Sequence, residues 1–215
     1  WSVPDQKKVA DLGGAYDGDE VVSVAFVPSD PNTVFSAASK FIWAHDLRNP
    51  STPLEKLELN RDDINQITVN NDGTFLAAAD DTGRIRVIDV KTRKSYKTLS
   101  RWHDNICNTV QFRPRGKWTL LSGGLDSKIV LWDFSRPRKI WSVSTNENTD
   151  TTETSTQLCN PPLVNSVSFS ATGNTVAAGL GDCSVALYGI GKKGLLINTS
   201  CLQQHKLSDY RSLIV

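Results

Sequence analysis

Residues 102–133 read WHDNICNTVQFRPRGKWTLLSGGLDSKIVLWD. From Ile106 to Phe112 apolar side chains alternate with small or polar ones, the period-two pattern of a strand with two unlike faces. Pro114-Arg115-Gly116 supplies a turn, and Trp118 to Gly124 a second apolar run. A turn bearing Asp126 leads into KIVLWD, a third run that ends on Trp132-Asp133. Short strands joined by tight turns, without a stretch of helical period, predict an antiparallel meander.

The same module recurs on both sides. The first strand reappears as Val21 to Phe26 (VVSVAF), Ile64 to Val69 (INQITV) and Val164 to Phe169 (VNSVSF). Turns follow at Pro28-Ser29-Asp30, Asn71-Asp72-Gly73 and Ala171-Thr172-Gly173. The second strands begin at Val34, Phe75 and Thr175, and the third read FIWAHD, RIRVID and SVALYG. A looser fourth strand closes each unit: LEKLEL, KSYKTL, KIWSVS and LLINTS. Third strands end at Asp46, Asp89, Asp133 and Gly189, giving periods of 43, 44 and 56 residues.

A repeat of this length with four short strands matches a blade of an all-β propeller. The second strands carry Ala37-Ala38, Ala77-Ala78-Ala79, Ser122-Gly123-Gly124 and Ala177-Ala178-Gly179, small residues suited to close packing between blades. The expected division is the end of a blade at 1–13, blades at 17–59, 60–100, 101–144 and 161–202, and the start of a blade at 203–215. That is about four whole blades plus parts of two, an incomplete propeller; six or seven blades are expected in the full-length protein. An open array leaves strand edges bare, so the 215-residue chain is expected to self-associate. The long third period comes from TNENTDTTETSTQLCN at 145–160, rich in Thr, Ser and Asn with three acids and no base. Such a stretch cannot bury an apolar face and is expected to be a mobile surface loop.

Composition sets the limits. The chain has 39% hydrophobic and 22% charged residues and a net charge of +1. That balance argues against wholesale binding of nucleic acid or an anionic membrane. No apolar run approaches the roughly 18 residues of a spanning helix. Cys107, Cys159, Cys183 and Cys201 are widely spaced, which favours reduced thiols in a cytoplasmic or nuclear protein. Cys107 and Cys183 fall in strand-like patterns, where Cys packs as a small apolar residue.

Several motifs look sharper than they are. Gly189 to Gly194 satisfies G-x-G-x-x-G, but LLINTS after it reads as a strand, and a dinucleotide site needs a helix there. This is a hairpin turn. His45, His103 and His205 lack the spacing of metal ligands, and His103 and His205 share one point of the repeat. No Ser/His/Asp or Cys/His set can be assembled from spacing, so an enzyme is not expected, nor a metal, cofactor or small-molecule substrate. Basic residues cluster in loops at Lys91, Arg93, Lys94 and Lys97, at Arg113, Arg115 and Lys117, and at Arg136, Arg138 and Lys139. They read as solvated turns, or alternatively as a contact for RNA or for modified or acidic peptides.

His103, Ser122, Asp126, Trp132 and Asp133 stand where the WD-repeat family places its His, Ser, turn Asp and terminal Trp-Asp. The chain resembles that family, and within it the family of WD repeat-containing protein 53, most closely through WHDNICNTVQFRPRG, DDTGRIRVIDVK and the acidic insert. The resemblance implies a hydrogen-bonded chain of His, Ser, Asp and Trp inside each blade, and a protein-binding scaffold. It also implies that Trp1 ends a third strand, that KKVADL is a fourth, and that His205 opens a further blade. His45, Ile88 and Tyr188-Gly189 depart from the Trp-Asp ending, which is expected to weaken the chain blade by blade. Some members serve as substrate receptors of cullin-4 RING ubiquitin ligases, using Trp-Asp-x-Arg to meet the damaged-DNA-binding adaptor. Asp46 and Arg48 fit its last positions, Asp89 and Lys91 fit more loosely, and Asp133 to Ser135 does not fit.

Overall fold

A computed structural model describes residues 4–8, 11–16, 18–148, 161–191 and 196–202, the last stretch through its backbone only. Its strands form four sheets of four strands each. The first comprises β1 (Val21–Val27), β2 (Asp30–Ala38), β3 (Phe41–Asp46) and β4 (Glu55–Leu57). The second holds β5 (Ile64–Val69), β6 (Phe75–Asp80), β7 (Ile85–Asp89) and β8 (Lys94–Leu99). The third holds β9 (Cys107–Phe112), β10 (Thr119–Gly124), β11 (Lys128–Asp133) and β12 (Arg138–Ser144). The fourth holds β13 (Val164–Phe169), β14 (Thr175–Leu180), β15 (Val185–Ile190) and β16 (Leu196–Leu202). Every sheet is an antiparallel meander in chain order. The first strands line up side by side, β1 against β5, β5 against β9 and β9 against β13. Sheets stacked by their innermost strands are blades of a propeller.

The apolar core lies between blades. One cluster joins Phe35, Ala37 and Ile42 to Ile64, Ile67, Leu76 and Ile88 across the first two. A second joins Ala79, Ile85 and Leu99 to Val110, Phe112, Trp132 and Phe134. A third joins Leu121, Ile129 and Leu131 to Val164, Val167, Val176 and Tyr188. Blade spacing explains the small second strands: a Cβ on Gly123 would meet Val164 Cγ1 of the next blade at 2.3 Å. Val24 and Phe26 of β1 are exposed, whereas Ile67, Val110 and Val167, the register equivalents of Val24, are buried.

Innermost strands of adjacent blades do not pair backbone to backbone, so some of their N–H groups need another acceptor. Polar side chains of the preceding blade supply it. Ser23 Oγ accepts from Ile67 N at 3.1 Å, Gln66 Oε1 from Val110 N at 2.7 Å and Gln111 Oε1 from Phe169 N at 2.6 Å. The alternation in these strands therefore has a chemical purpose on its polar face, linking each blade to the next.

Three sequence expectations are corrected. Asp30 lies in β2 rather than in the preceding turn, where its carboxylate accepts from Thr33 Oγ1 and Asn32 N. Cys183 does not pack in a strand: it is exposed in the β14–β15 turn at φ +68. Thr145 does not begin a loose loop, being buried with its hydroxyl donating to Pro162 O at 2.5 Å in a short 3-10 turn, Thr145–Asn148. The rest of the insert (149–160), Trp1 and His205 lie outside the described residues, as does part of KKVADL. β15 and β16 pair antiparallel from Ile190 and Leu196; residues 192–195 of the glycine-rich run lie outside the described residues.

Candidate functional site

Turns between first and second strands stack around one face. Gly73, at φ +69, would bring a Cβ within 2.1 Å of Ser29 Oγ, and Gly173, at φ +72, within 2.6 Å of Pro114 O. Only a residue without Cβ fits both the dihedral and the approach. The third strands end on this same face: Asp46 pairs with Thr33 at the start of β2, and Asp89 with Phe75 at the start of β6.

Asp46 binds Arg48 closely, with Nη2 to Oδ2 at 2.7 Å, Nε to Oδ1 at 2.9 Å and the Arg48 backbone N–H to Oδ1 at 2.9 Å. These bonds lower the Asp46 pKa to about 2, the Arg48 side chain contributing most. Arg48 remains 69% exposed, a guanidinium held in one pose at the rim. Asp89 accepts from Thr92 N at 2.7 Å and Thr92 Oγ1 at 2.9 Å, and is held below its ordinary range chiefly by that backbone bond. Lys91 is exposed. Beside Asp89 and Lys91 opens a cleft of about 440 Å3, with Asp30 and Thr33 of the first blade on one side, Asp89, Lys91 and Arg93 on the other and Phe35 among its lining residues. Arg93 bridges the blades to Glu55 at 3.2 Å.

The third blade holds the polar chain. His103 Nδ1 lies 3.0 Å from Asp126 Oδ1, His103 Nε2 lies 2.7 Å from Ser122 Oγ, and Trp132 Nε1 donates to Ser122 Oγ at 2.8 Å. Burial alone would raise the Asp126 pKa, but bonds from His103 and from the Asp104 and Lys128 N–H groups outweigh it and hold it low. An ionised Asp126 makes Nδ1–H the donor, leaving Nε2 to accept from the Ser122 hydroxyl, whose oxygen takes the Trp132 N–H. Asp133 stands apart: it accepts from Ser135 N and Oγ and from Arg138 Nε at the opposite end of β11. It closes the next turn and does not belong to the chain, because its strand position puts it on the other face.

Asp126, His103 and Ser122 thus stand in the order of a hydrolytic triad, which spacing alone had not assembled. Ser122 has no exposed surface and its oxygen already accepts from Trp132, so no carbonyl can reach it. The arrangement is structural.

The first blade rebuilds the chain with other residues. Register places His45 where the third blade has Trp132, and Ser36 where it has Ser122. Tyr16, five residues before β1, takes the place of His103. Tyr16 Oη lies 2.8 Å from Ser36 Oγ and 3.0 Å from His45 Nε2, and Ser36 Oγ lies 3.1 Å from His45 Nε2. His45 keeps a polar link in this blade by closing a triangle through Nε2, while its Nδ1 is buried without a hydrogen-bond partner, so the chain is shorter here than in the third blade. Burial lowers its pKa. In the second blade Ala78 and Ile88 replace the Ser and Trp, leaving Asn60 Nδ2 donating to Asp80 at 2.9 Å. Tyr16 was legible in the sequence only as an aromatic hydroxyl just ahead of a first strand.

Among the described residues no group of three His, Cys, Asp or Glu side chains could hold a metal ion. No described helix is long and apolar enough to cross a membrane.

Four stacked meanders with a His-Ser-Trp chain define a propeller built of WD repeats. The chain belongs to the WD40 family, whose model, described as WD domain, G-beta repeat, matches residues 51–89, 93–133 and 154–188. It is 30% identical over 233 aligned residues to the WD repeat-containing protein 53 homolog of Dictyostelium discoideum, covering 98% of this chain and 62% of that protein. It thus spans about three-fifths of that relative's length. U3 small nucleolar RNA-associated protein 15 of Schizosaccharomyces pombe is 31% identical over 80 residues, covering 37% of this chain and 16% of that protein. A chain of the mitotic checkpoint complex superposes with a TM-score of 0.71 at 15% identity, over 86% of this chain and 52% of that one.

Proposed function

We propose that the protein is an interaction scaffold acting as a substrate receptor, which docks on the damaged-DNA-binding adaptor of a cullin-4 RING ubiquitin ligase. One observation carries this reading: the third strands of two adjacent blades each end in an acid with a base two residues on, and the second of these pairs, Asp89 and Lys91, lines a cleft against Asp30 and Thr33 of the first blade. Asp46 presents the Arg48 guanidinium already oriented, so docking forfeits little side-chain freedom. Binding chemistry rather than catalysis fits the site, and such a receptor works in the cytoplasm or nucleus. The test is co-purification of the full-length protein with the adaptor. Arg48→Ala is expected to abolish recovery and Lys91→Ala to reduce it; unchanged recovery with Arg48→Ala overturns the proposal.

A second reading, an RNA contact through the basic loops, draws on the relative named a U3 small nucleolar RNA-associated protein. It requires log affinity to fall linearly with log salt, and a flat response excludes it.

A further inference from the structure

At the end of its third strand the third blade departs from the first two. The first blade satisfies Arg48 with Asp46, and the second satisfies Asp89 with Thr92. Here the turn after β9 and the turn after β11 leave a cleft of about 530 Å3 lined by Lys117, Trp118, Asp133, Arg136, Arg138 and Ile140, with Thr119 and Ser135. Asp133 is its only carboxylate, and that group is engaged by Ser135 N at 3.1 Å, Ser135 Oγ at 2.6 Å and Arg138 Nε at 3.3 Å. Arg138 commits only its Nε, which leaves the two terminal nitrogens of its fork for another acceptor. Arg136 and Lys117 are exposed and form no ion pair among the described residues, Lys117 Nζ standing 5.4 Å from the centre of the Trp118 ring. Two positive charges therefore remain in excess of the carboxylate, gathered in a single concave place.

Ile140 completes the cleft. It is the bulged residue of β12, skipped where Leu131 pairs with Trp141 and Trp132 with Lys139, and it stands 42% exposed. A bulge re-aims its side chain, here an aliphatic one, to a place beside three cations.

We propose that this cleft binds a phosphorylated peptide segment, with the phosphoryl group on Arg136, Arg138 and Lys117 and a neighbouring apolar side chain on Ile140. A phosphoserine carries a charge of roughly −1.5 to −2 at neutral pH, which matches the surplus. Guanidinium forks meet phosphate oxygens in pairs, a geometry that favours phosphate over a diffuse negative surface. A nucleic-acid strand would need an open aromatic face on which to stack a base. Trp118 offers little: Tyr96 lies over it at 6.4 Å and 21°, with Phe134 and Phe75 packed at 5.4 Å and 5.6 Å. The cations also line one cleft of a single blade. The site belongs to a different blade from Asp46 and Arg48 and does not depend on the adaptor reading.

Fluorescence anisotropy on the full chain tests this with three probes. They are a fluorescein-labelled peptide of about ten residues with one phosphoserine flanked by leucine, its unphosphorylated twin, and an oligouridylate of about ten nucleotides. The phosphopeptide is expected to bind at least roughly tenfold more tightly than its twin, and Arg136→Glu with Arg138→Glu to remove that margin. Ile140→Ala should weaken binding by about threefold. Lys91→Glu, on the neighbouring blade, should leave it unchanged. All altered side chains are exposed, so urea midpoints should match the parent and exclude misfolding. Equal binding of the two peptides, or a phosphopeptide margin that survives the double reversal, overturns the proposal. Oligouridylate bound as tightly as the phosphopeptide, and lost in the same variant, replaces it with a nucleic-acid site.

Discussion

Ser122→Ala isolates what the buried polar chain contributes. Ala78 and Ala178 occupy the same register in the second and fourth blades, so the fold accepts a methyl there and the substitution tests polarity alone. In the third blade it removes the acceptor of Trp132 Nε1–H at 2.8 Å and the donor to His103 Nε2 at 2.7 Å, both in a site without exposed surface. Each orphaned buried group costs about 1–3 kcal/mol, so a loss of about 3 kcal/mol is expected. For a chain of this size that corresponds to a fall in melting temperature of roughly 6–12 °C. Ser36→Ala, at the equivalent position of the first blade, should cost only about 1 kcal/mol, because Tyr16 Oη still reaches His45 Nε2 at 3.0 Å. Urea unfolding followed by tryptophan fluorescence measures both, with an unchanged slope as the check that the unfolded states are comparable. Equal losses for the two variants, or a loss below about 0.5 kcal/mol for Ser122→Ala, would refute the directional chain.

Stability should also depend on pH through His45. Its folded pKa is depressed by burial, so the unfolded chain binds the proton more readily. The contribution is complete above the ordinary histidine value of about 6.5 and is lost as pH falls below it. Melting temperatures between pH 7.5 and 5 should show this dependence, and His45→Leu should remove it; an undiminished slope in that variant would reject the assignment. The carboxylates Asp46, Asp126 and Asp133 have lowered values, so their contributions persist through this window and fail only at lower pH. Gly123→Ala forces a methyl toward Val164 Cγ1 at 2.3 Å and Thr109 Cγ2 at 2.9 Å. Overpacking of this kind costs about 1–3 kcal/mol; Val164→Ala should recover part of it, whereas purely additive losses would show that the blades do not meet there.

Much of the fold was legible before any coordinates. Alternation in VVSVAF, INQITV and VNSVSF placed the innermost strands to within a residue of β1, β5 and β13, because a strand sends successive side chains to opposite faces and so alternates apolar with polar residues along the chain. The His103, Ser122 and Trp132 positions were readable only through the resemblance to the WD-repeat family. Tyr16 was not, since a tyrosine ahead of a strand has many uses and only packing shows its hydroxyl between Ser36 and His45. Nor was the fate of Thr145, whose composition matched the insert beside it while its hydroxyl was needed inside. Cys183 misled for a related reason: the apolar pattern was extended into the turn two residues ahead of β15.

The sequence alone determined the repeating four-strand unit and the small residues between units, since strand periodicity and side-chain volume are local properties. Tertiary structure decided which residues complete each polar chain and which loops share a face. It brought Asp89 and Lys91 to the cleft beside Thr33, and Lys117 to Arg136 and Arg138. Those meetings depend on how neighbouring strands and blades register across gaps of many residues. Hydrogen bonds between them respond to tenths of an ångström, a distance that no single stretch of chain encodes.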